Sequence, residues 1–143
     1  MIMLEFVIRI LAAGLVGLII GMFSTNARSA RMFGFVAAGA ALITVTSTEF
    51  YKVIAGPWFS DPGRLSAQIV SALGFIGTGL IWISENNQVR GLSVSASIWL
   101  TAIVGMLVGA GLKQASTAAV LIVILIYWGT GTIIKGKKLN KGG

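Results

Sequence analysis

The chain has 143 residues, of which 56% are hydrophobic and only 10% are charged, and its mean hydropathy is +0.92. A soluble domain carries about 25% charged residues, so the sequence predicts an integral membrane protein. Cysteine and histidine are absent from the sequence, which excludes disulfides, thiolate or imidazole metal sites, and Cys- or His-based catalysis. The net charge of +7 comes from basic residues at the edges of apolar segments. This pattern indicates contact with the lipid bilayer and not with nucleic acid.

Five segments are apolar and long enough to cross a bilayer, which needs about 20 residues. They predict an all-α bundle of five transmembrane helices within residues 1–134, at about residues 4–23, 32–48, 62–84, 91–112 and 116–134. The first segment is too long for a cleavable signal peptide and lacks its basic start. A basic tail, residues 135–143, follows the fifth segment, and we expect it to be disordered.

The basic residues predict the orientation of the bundle. Five crossings place the two termini on opposite sides of the membrane. If the C-terminus is cytoplasmic, so are most of the basic residues, namely Arg28, Arg31, Arg90, Lys135, Lys137, Lys138 and Lys141. The positive-inside rule therefore predicts the N-terminus outside and the C-terminus inside.

Small residues recur every four positions in the first and fourth segments. The first segment has Ala13, Gly17 and Gly21 at this spacing. The fourth has the longest such stripe, formed by Ser93, Ser97, Thr101, Gly105 and Gly109. Small residues let neighbouring helices approach closely, so we interpret both sets as packing surfaces and expect the fourth helix at the centre of the bundle.

The third segment begins with the most informative polar residues. Asp61 can cap a helix, and Pro62 suits the first helical position. Arg64 and Gln68 are one turn apart and can share a face. Together with Glu49 and the hydroxyl groups of the fourth segment, they could form a polar site at the outer mouth of the bundle. The alternative is that Asp61 only caps the helix and Arg64 extends to the lipid headgroups; the residue types favour neither.

Two further motifs have simple structural interpretations. Gly74, Gly77 and Gly79 lie inside an apolar segment and not after a strand, which argues against a phosphate-binding loop. Close helix packing is the favoured interpretation, and a kink that lines a cavity is the alternative. Glu85 and Arg90 flank a polar loop on the cytoplasmic side, where a solvated pair contributes little to stability. No pattern suggests a catalytic nucleophile with its base, a metal site or a cofactor, so we expect a protein that is not an enzyme.

A longer pattern covers the second half of the chain. It reads D-P-x-R-x-x-A-Q-I-V-S-x-x-G-F-I-G-x-G-x-I over residues 61–81, V-R-G-L-S-x-x-A-S-x-W over 89–99, and G-x-x-x-G-x-G over 105–111. This pattern resembles the MgtC/SapB family of bacterial inner-membrane proteins. Two features depart from the family. The charged run that commonly follows the first helix is replaced by G-M-F-S-T-N at residues 21–26. Many members also carry a soluble C-terminal domain, and we expect this chain to resemble the short, membrane-only form instead.

The resemblance implies a multi-pass inner-membrane protein associated with growth at low magnesium, virulence and stress adaptation. It implies action on other membrane proteins, including the ATP synthase, more than established transport. One hypothesis is therefore a non-enzymatic protein that associates through its helices, as a homodimer or with another membrane protein. The other is a small transporter, channel or binding site for an ion or small solute, lined by Asp61, Arg64, Gln68 and the hydroxyl stripe. The nearby arginine argues against a simple divalent-cation cage.

Overall fold

The computed structural model describes residues 2–24, 27–54, 61 and 63–139. These residues form helices and one short antiparallel hairpin. In chain order the elements are α1 (Ile2–Ser24), α2 (Ala27–Ile54), α3 (Gly63–Gly79), β1 (Trp82–Ile83), β2 (Val89–Arg90), α4 (Leu92–Gly109) and α5 (Lys113–Leu139). The predicted all-helical architecture is confirmed.

Three of these helices are long and apolar enough to cross a membrane. The qualifying stretches are Met3–Ser24 in α1, Ala30–Glu49 in α2 and Leu92–Gly109 in α4. The apolar part of α5 is shorter, Lys113–Gly129, and α3 has 17 residues. The helices thus support a membrane protein, whereas five crossings and their orientation stay predictions.

The α4 helix lies at the centre of the bundle and contacts each of the other four helices. Its buried residues include Ile98, Thr101 and Val104. The α1 and α2 helices run antiparallel, because Gly14 lies opposite Ala38 and Gly21 lies opposite Ala30. The core is thus formed where α1 and α2 pack against α4, as the small-residue stripe predicts.

The third helix ends earlier than the sequence predicts. It stops at Gly79 and not near Ser84, and Trp82–Ile83 pairs with Val89–Arg90 as a two-stranded hairpin. At Gly91, which follows the hairpin, φ is +85°, and an added Cβ would lie 2.9 Å from the carbonyl carbon of Leu80. Glycine tolerates this backbone conformation without steric cost, so the chain can close the hairpin tightly between α3 and α4.

Other boundaries also differ from the expected ones. The α2 helix begins at Ala27, so Arg28 and Arg31 lie on a helix and not in a loop, and it continues to Ile54. The sequence predicts the turn between the fourth and fifth segments at about residues 113–115. It lies at Gly111, whose φ is +75°, and α5 already begins at Lys113. The α5 helix extends to Leu139, so the start of the basic tail is helical. Lysine is a good helix former and no proline interrupts this stretch. Pro62 and residues 140–143 lie outside the described residues.

Candidate functional site

Asp61 caps α3. Its Oδ1 atom accepts a hydrogen bond of 2.8 Å from the backbone N–H of Gly63. Its carbonyl oxygen accepts a bond of 3.2 Å from the N–H of Arg64. Because one side-chain oxygen is bound to the backbone of its own helix, the capping interpretation of Asp61 accounts for its position.

Arg64 and Gln68 follow on the exposed side of α3. Within the described residues, neither side chain has a hydrogen-bonding or ionic partner. Gln68 lies on a groove of about 480 Å³ between α2 and α3. The groove is lined by Leu42, Ile43, Thr46, Leu65, Gln68, Ile69 and Ala72. The hydroxyl of Thr46 donates to the carbonyl of Leu42 at 2.8 Å, which leaves the Gln68 amide as the polar side chain available to a solute there.

Glu49 belongs to the end of α2 and is paired there. Its Oε1 atom lies 2.7 Å from Nζ of Lys52, three residues further along the same helix. The carboxylate is thus bound by a local lysine and not by Arg64. This leaves Arg64 without the acidic neighbour that a site combining the two residues would need.

The hydroxyl groups of the α4 stripe bond to their own helix. Ser97 donates to the carbonyl of Ser93 at 2.7 Å, and Thr101 donates to the carbonyl of Ser97 at 2.7 Å. Such bonds satisfy hydroxyl groups inside a helix without any partner from another element. These two hydroxyl groups therefore have no free proton to donate to a ligand, and only their oxygen lone pairs can still accept a bond.

The α3 cap and the start of the α4 stripe lie at opposite ends of the bundle. Gly77, near the end of α3, faces Ser95, near the start of α4. The two helices are thus antiparallel, and Ser93 lies beside the hairpin. Asp61 lies at the other end of α3, roughly 25 Å away at 1.5 Å per residue. The structure therefore does not bring Asp61 and Arg64 together with Ser93 and Ser97.

Most of the glycines singled out in the sequence lie where another backbone comes close. At Gly17 an added Cβ would lie 2.7 Å from the Cβ of Ala37, and at Gly21 it would lie 2.7 Å from the Cα of Ala30. At Gly105 it would lie 2.8 Å from the Cα of Ala37, and at Gly109 it would lie 2.7 Å from the Cα of Ala41. At Gly77 it would overlap the hydroxyl of Ser95. By contrast, an added Cβ at Gly74 or Gly79 would meet no atom within 4 Å. Those two glycines thus face outward from the chain.

Arg9 makes a contact that the sequence does not reveal. It pairs with Glu5, which lies four residues earlier on α1, a spacing at which side chains share one face of a helix. Its Nη1 atom also donates to the carbonyl oxygen of Gly109 at 3.3 Å. The last carbonyl groups of a helix lack partners and carry partial negative charge. Arg9 therefore stabilises the end of α4, across 100 residues of chain.

The two charged residues of the hairpin, Glu85 and Arg90, do not form an ion pair with each other. Glu85 and Arg90 are both exposed, and Arg90 donates to Oε1 of Gln88 at 3.4 Å. In the part of the chain that the structure describes, no group of three acidic, histidine or cysteine side chains is placed to hold a metal ion.

A family model described as the MgtC family matches residues 10–135. The chain belongs to the MgtC family. The resemblance seen in the sequence is therefore confirmed over nearly the whole length, from α1 into α5. The matched region of this MgtC-family chain includes the α3 cap, the α2–α3 groove and the α4 stripe.

Two relatives named Protein MgtC match different shares of this chain. Protein MgtC of Salmonella typhimurium strain LT2 is 35% identical over 127 residues, which cover 87% of this chain and 52% of that protein. Protein MgtC of Brucella abortus strain 2308 is 42% identical over 91 residues, which cover 64% and 35% respectively. The chain spans about half the length of the Salmonella relative. No solved structure matches it.

Proposed function

We propose that this MgtC-family chain is a multi-pass protein of the bacterial inner membrane that acts without catalysis. It associates through its helices with a second copy or with another membrane protein, in adaptation to low magnesium or stress. The observation that supports this proposal most directly is an unoccupied surface of α3. We call it the α3 small-residue face, formed by Ala67, Ser71, Gly74 and Thr78.

Only one narrow side of α3 packs against the other helices of the chain. Only Ile69, Leu73 and Gly77 of α3 are buried, while the small-residue face on the opposite side is exposed. Its members recur at intervals of four, three and four residues, so they share one side of the helix. This face is therefore shaped to receive another helix at short range.

The chemistry of this face suits a helix more than a polar ligand. The Thr78 hydroxyl already donates to the carbonyl of Phe75 at 2.7 Å. Phe75 itself is 82% exposed at the edge of the face. A neighbouring helix could thus pack its backbone against the small residues and its side chains against this ring.

The described carboxylates support a non-catalytic role. Glu5 pairs with Arg9, and Glu49 pairs with Lys52, while Asp61 is bound to the backbone of α3. Glu85 is exposed on the hairpin. Three of the four carboxylates are thus already engaged by a basic side chain or by the backbone, which disfavours their use as general acids or bases.

Mass measurement in a mild detergent tests the association. One chain has a mass of 14.9 kDa, and we expect light scattering to give twice this protein mass. Gly74→Leu, which places a large side chain in the middle of the α3 small-residue face, should shift the protein to a monomer. Gly39→Leu on α2 is the matched control, because Gly39 also has no atom within 4 Å of an added Cβ. A strictly monomeric wild-type protein with no copurifying membrane protein would contradict the proposal.

Growth at low magnesium tests the physiological part. We expect the wild-type chain to restore growth of a bacterial strain that lacks its own family member. The Gly74→Leu variant should fail to do so at equal membrane abundance, while Gly39→Leu should succeed. Equal growth with all three proteins would show that association through the α3 small-residue face is not needed for growth at low magnesium.

A second candidate function, passage or binding of a small solute, is supported by the unpaired Gln68 amide in the α2–α3 groove. Flux of magnesium, sodium or protons into liposomes that contain the purified chain tests it. If this function is correct, Gln68→Leu should abolish the flux and Asp61→Asn should preserve it, since an asparagine can still cap α3. Absence of flux from the wild-type protein would refute this candidate.

A further inference from the structure

A second apolar groove lies on the outer surface between α1 and α2, about 330 Å³ in volume. We call it the α1–α2 groove. Its lining consists of Ile10, Leu11, Gly14, Leu15, Leu18, Arg31, Gly34, Phe35 and Ala38. Arg31 is the one charged residue among them, and it is exposed.

The groove follows part of the length of α1. Its α1 side runs from Ile10 to Leu18, roughly 12 Å at 1.5 Å per residue. Gly14 contributes no side chain, and an added Cβ there would lie 3.5 Å from the Cβ of Ala38, an ordinary contact distance, whereas the side chain of Leu18 already packs over Gly34. Phe35, 78% exposed, forms part of the wall of the groove. A single acyl chain is thinner than a helix, which is about 10 Å wide. An acyl chain therefore suits this groove better than a helix does.

The charged end of the groove has no anion from the chain itself. Arg31 lies in the second turn of α2, near the α1–α2 connection, and lines the groove together with Leu18. Within the described residues it forms no ion pair or side-chain hydrogen bond. Three of the four acidic residues, at positions 5, 49 and 61, are bound elsewhere. The fourth, Glu85, is exposed on the hairpin and forms no ion pair with Arg31, and the net charge is +7. An anion at Arg31 must therefore come from outside the chain. A guanidinium group binds phosphate through two parallel hydrogen bonds.

We propose that the α1–α2 groove binds one anionic phospholipid, with an acyl chain between the two helices and the phosphate at Arg31. The predicted orientation places Arg31 on the cytoplasmic side, where anionic lipids attract basic residues near the membrane surface. The site lies on α1 and α2, away from the α3 small-residue face. Its occupation is therefore independent of the association proposed above.

Native mass spectrometry of the full chain tests the site. The protein is transferred to micelles that contain equal amounts of dioleoyl phosphatidylglycerol and dioleoyl phosphatidylcholine, and the bound lipids are counted. We expect one bound lipid per chain, with about a fivefold preference for phosphatidylglycerol, the effect of about one cation near an anionic headgroup. Arg31→Gln should abolish the preference. Gly14→Leu, which fills the groove, should remove the bound lipid.

Two controls match these variants. Arg90→Gln removes an exposed cation from the hairpin, and Gly39→Leu adds a leucine where no atom lies within 4 Å of an added Cβ; both should keep the wild-type preference. If circular dichroism shows that Gly14→Leu does not fold, Ala38→Leu fills the same groove. Equal retention of both lipids by the wild-type protein, or an unchanged preference in Arg31→Gln, would overturn the proposal. So would a lipid-free dimer that Gly14→Leu dissociates, because a helix of a second copy would then occupy the groove.

Discussion

Replacing Gly105 by alanine tests how closely α2 and α4 approach each other. The added methyl group would lie 2.8 Å from the Cα and 2.9 Å from the carbonyl carbon of Ala37, and it would overlap the carbonyl oxygen of that residue. Carbon atoms in contact are normally about 3.5–4.0 Å apart. Because all three atoms belong to the backbone, no side-chain rotation can relieve the overlap. The two helices must move apart by roughly 1 Å, the difference between these separations.

This separation weakens the most buried part of the bundle. Gly105 lies between the buried residues Ala102, Val104 and Gly109. Overpacking a core costs about 1–3 kcal/mol, and we expect about 2 kcal/mol because the rigid backbone cannot yield locally. Gly39→Ala is the control, since it makes the same chemical change where no atom lies within 4 Å. It should leave stability unchanged or raise it by at most about 1 kcal/mol through helix propensity.

Unfolding in lipid bicelles by increasing amounts of sodium dodecyl sulfate, followed by far-ultraviolet circular dichroism, measures both variants. We expect the Gly105→Ala midpoint at lower detergent fraction than the wild type, and the Gly39→Ala midpoint at or above it. Equal midpoints for the two variants would refute the close approach of α2 and α4. A loss of stability in both would show instead that glycine is needed for a reason other than packing.

Three further changes can be measured by the same titration. Asp61→Ala should lower the free energy of unfolding by about 1 kcal/mol, while Asp61→Asn should stay near the wild type because an amide oxygen also caps a helix; equal losses would contradict the capping role. Gly91→Ala should cost about 1–3 kcal/mol, because φ is +85° and the new Cβ would overlap the carbonyl of Leu80; a stable variant would exclude the tight hairpin. Arg9→Met should cost about 1 kcal/mol by removing the bond to the Gly109 carbonyl, and unchanged stability would show that this contact is not needed.

The features that depend on neighbouring residues could be predicted from the sequence. The four-residue repeat of small side chains in α4 predicts its central position, because only small residues permit such contact with a second backbone. The pairing of Glu5 with Arg9 follows from their spacing on one helix. The cap at Asp61 follows from the preference of aspartate for the position before a helix. Each of these depends on residues within a single helix or directly before it.

Features that depend on distant residues could not be predicted in the same way. Asp61 and Ser93 looked compatible with one site by residue type, although two consecutive crossings already place the starts of their helices at opposite ends of the bundle. The contact between Gly77 and Ser95 in the structure agrees with this separation. The contact between Arg9 and Gly109 joins α1 to α4, and no local pattern indicates it. The early end of α3 depends on the pairing of Trp82–Ile83 with Val89–Arg90. A hydropathy profile cannot detect this pairing, because Trp82–Ile83 continues the apolar run of α3.

The hydrogen bonds inside the bundle bear on where its function can lie. Thr44 is buried and donates to the carbonyl of Ala40 at 2.8 Å, and the buried Thr101 donates to Ser97. These hydroxyl groups use their protons within their own helices and keep only oxygen lone pairs. Two such oxygens are too few to replace the water shell of an ion, which makes a conducting path between them costly. Among the described residues, the side chains of Arg31, Arg64 and Gln68 have no hydrogen-bonding or ionic partner, and all three lie on exposed surfaces of α2 and α3. The outer surface of the bundle, where lipids and other helices bind, is therefore the place where we expect this chain to act.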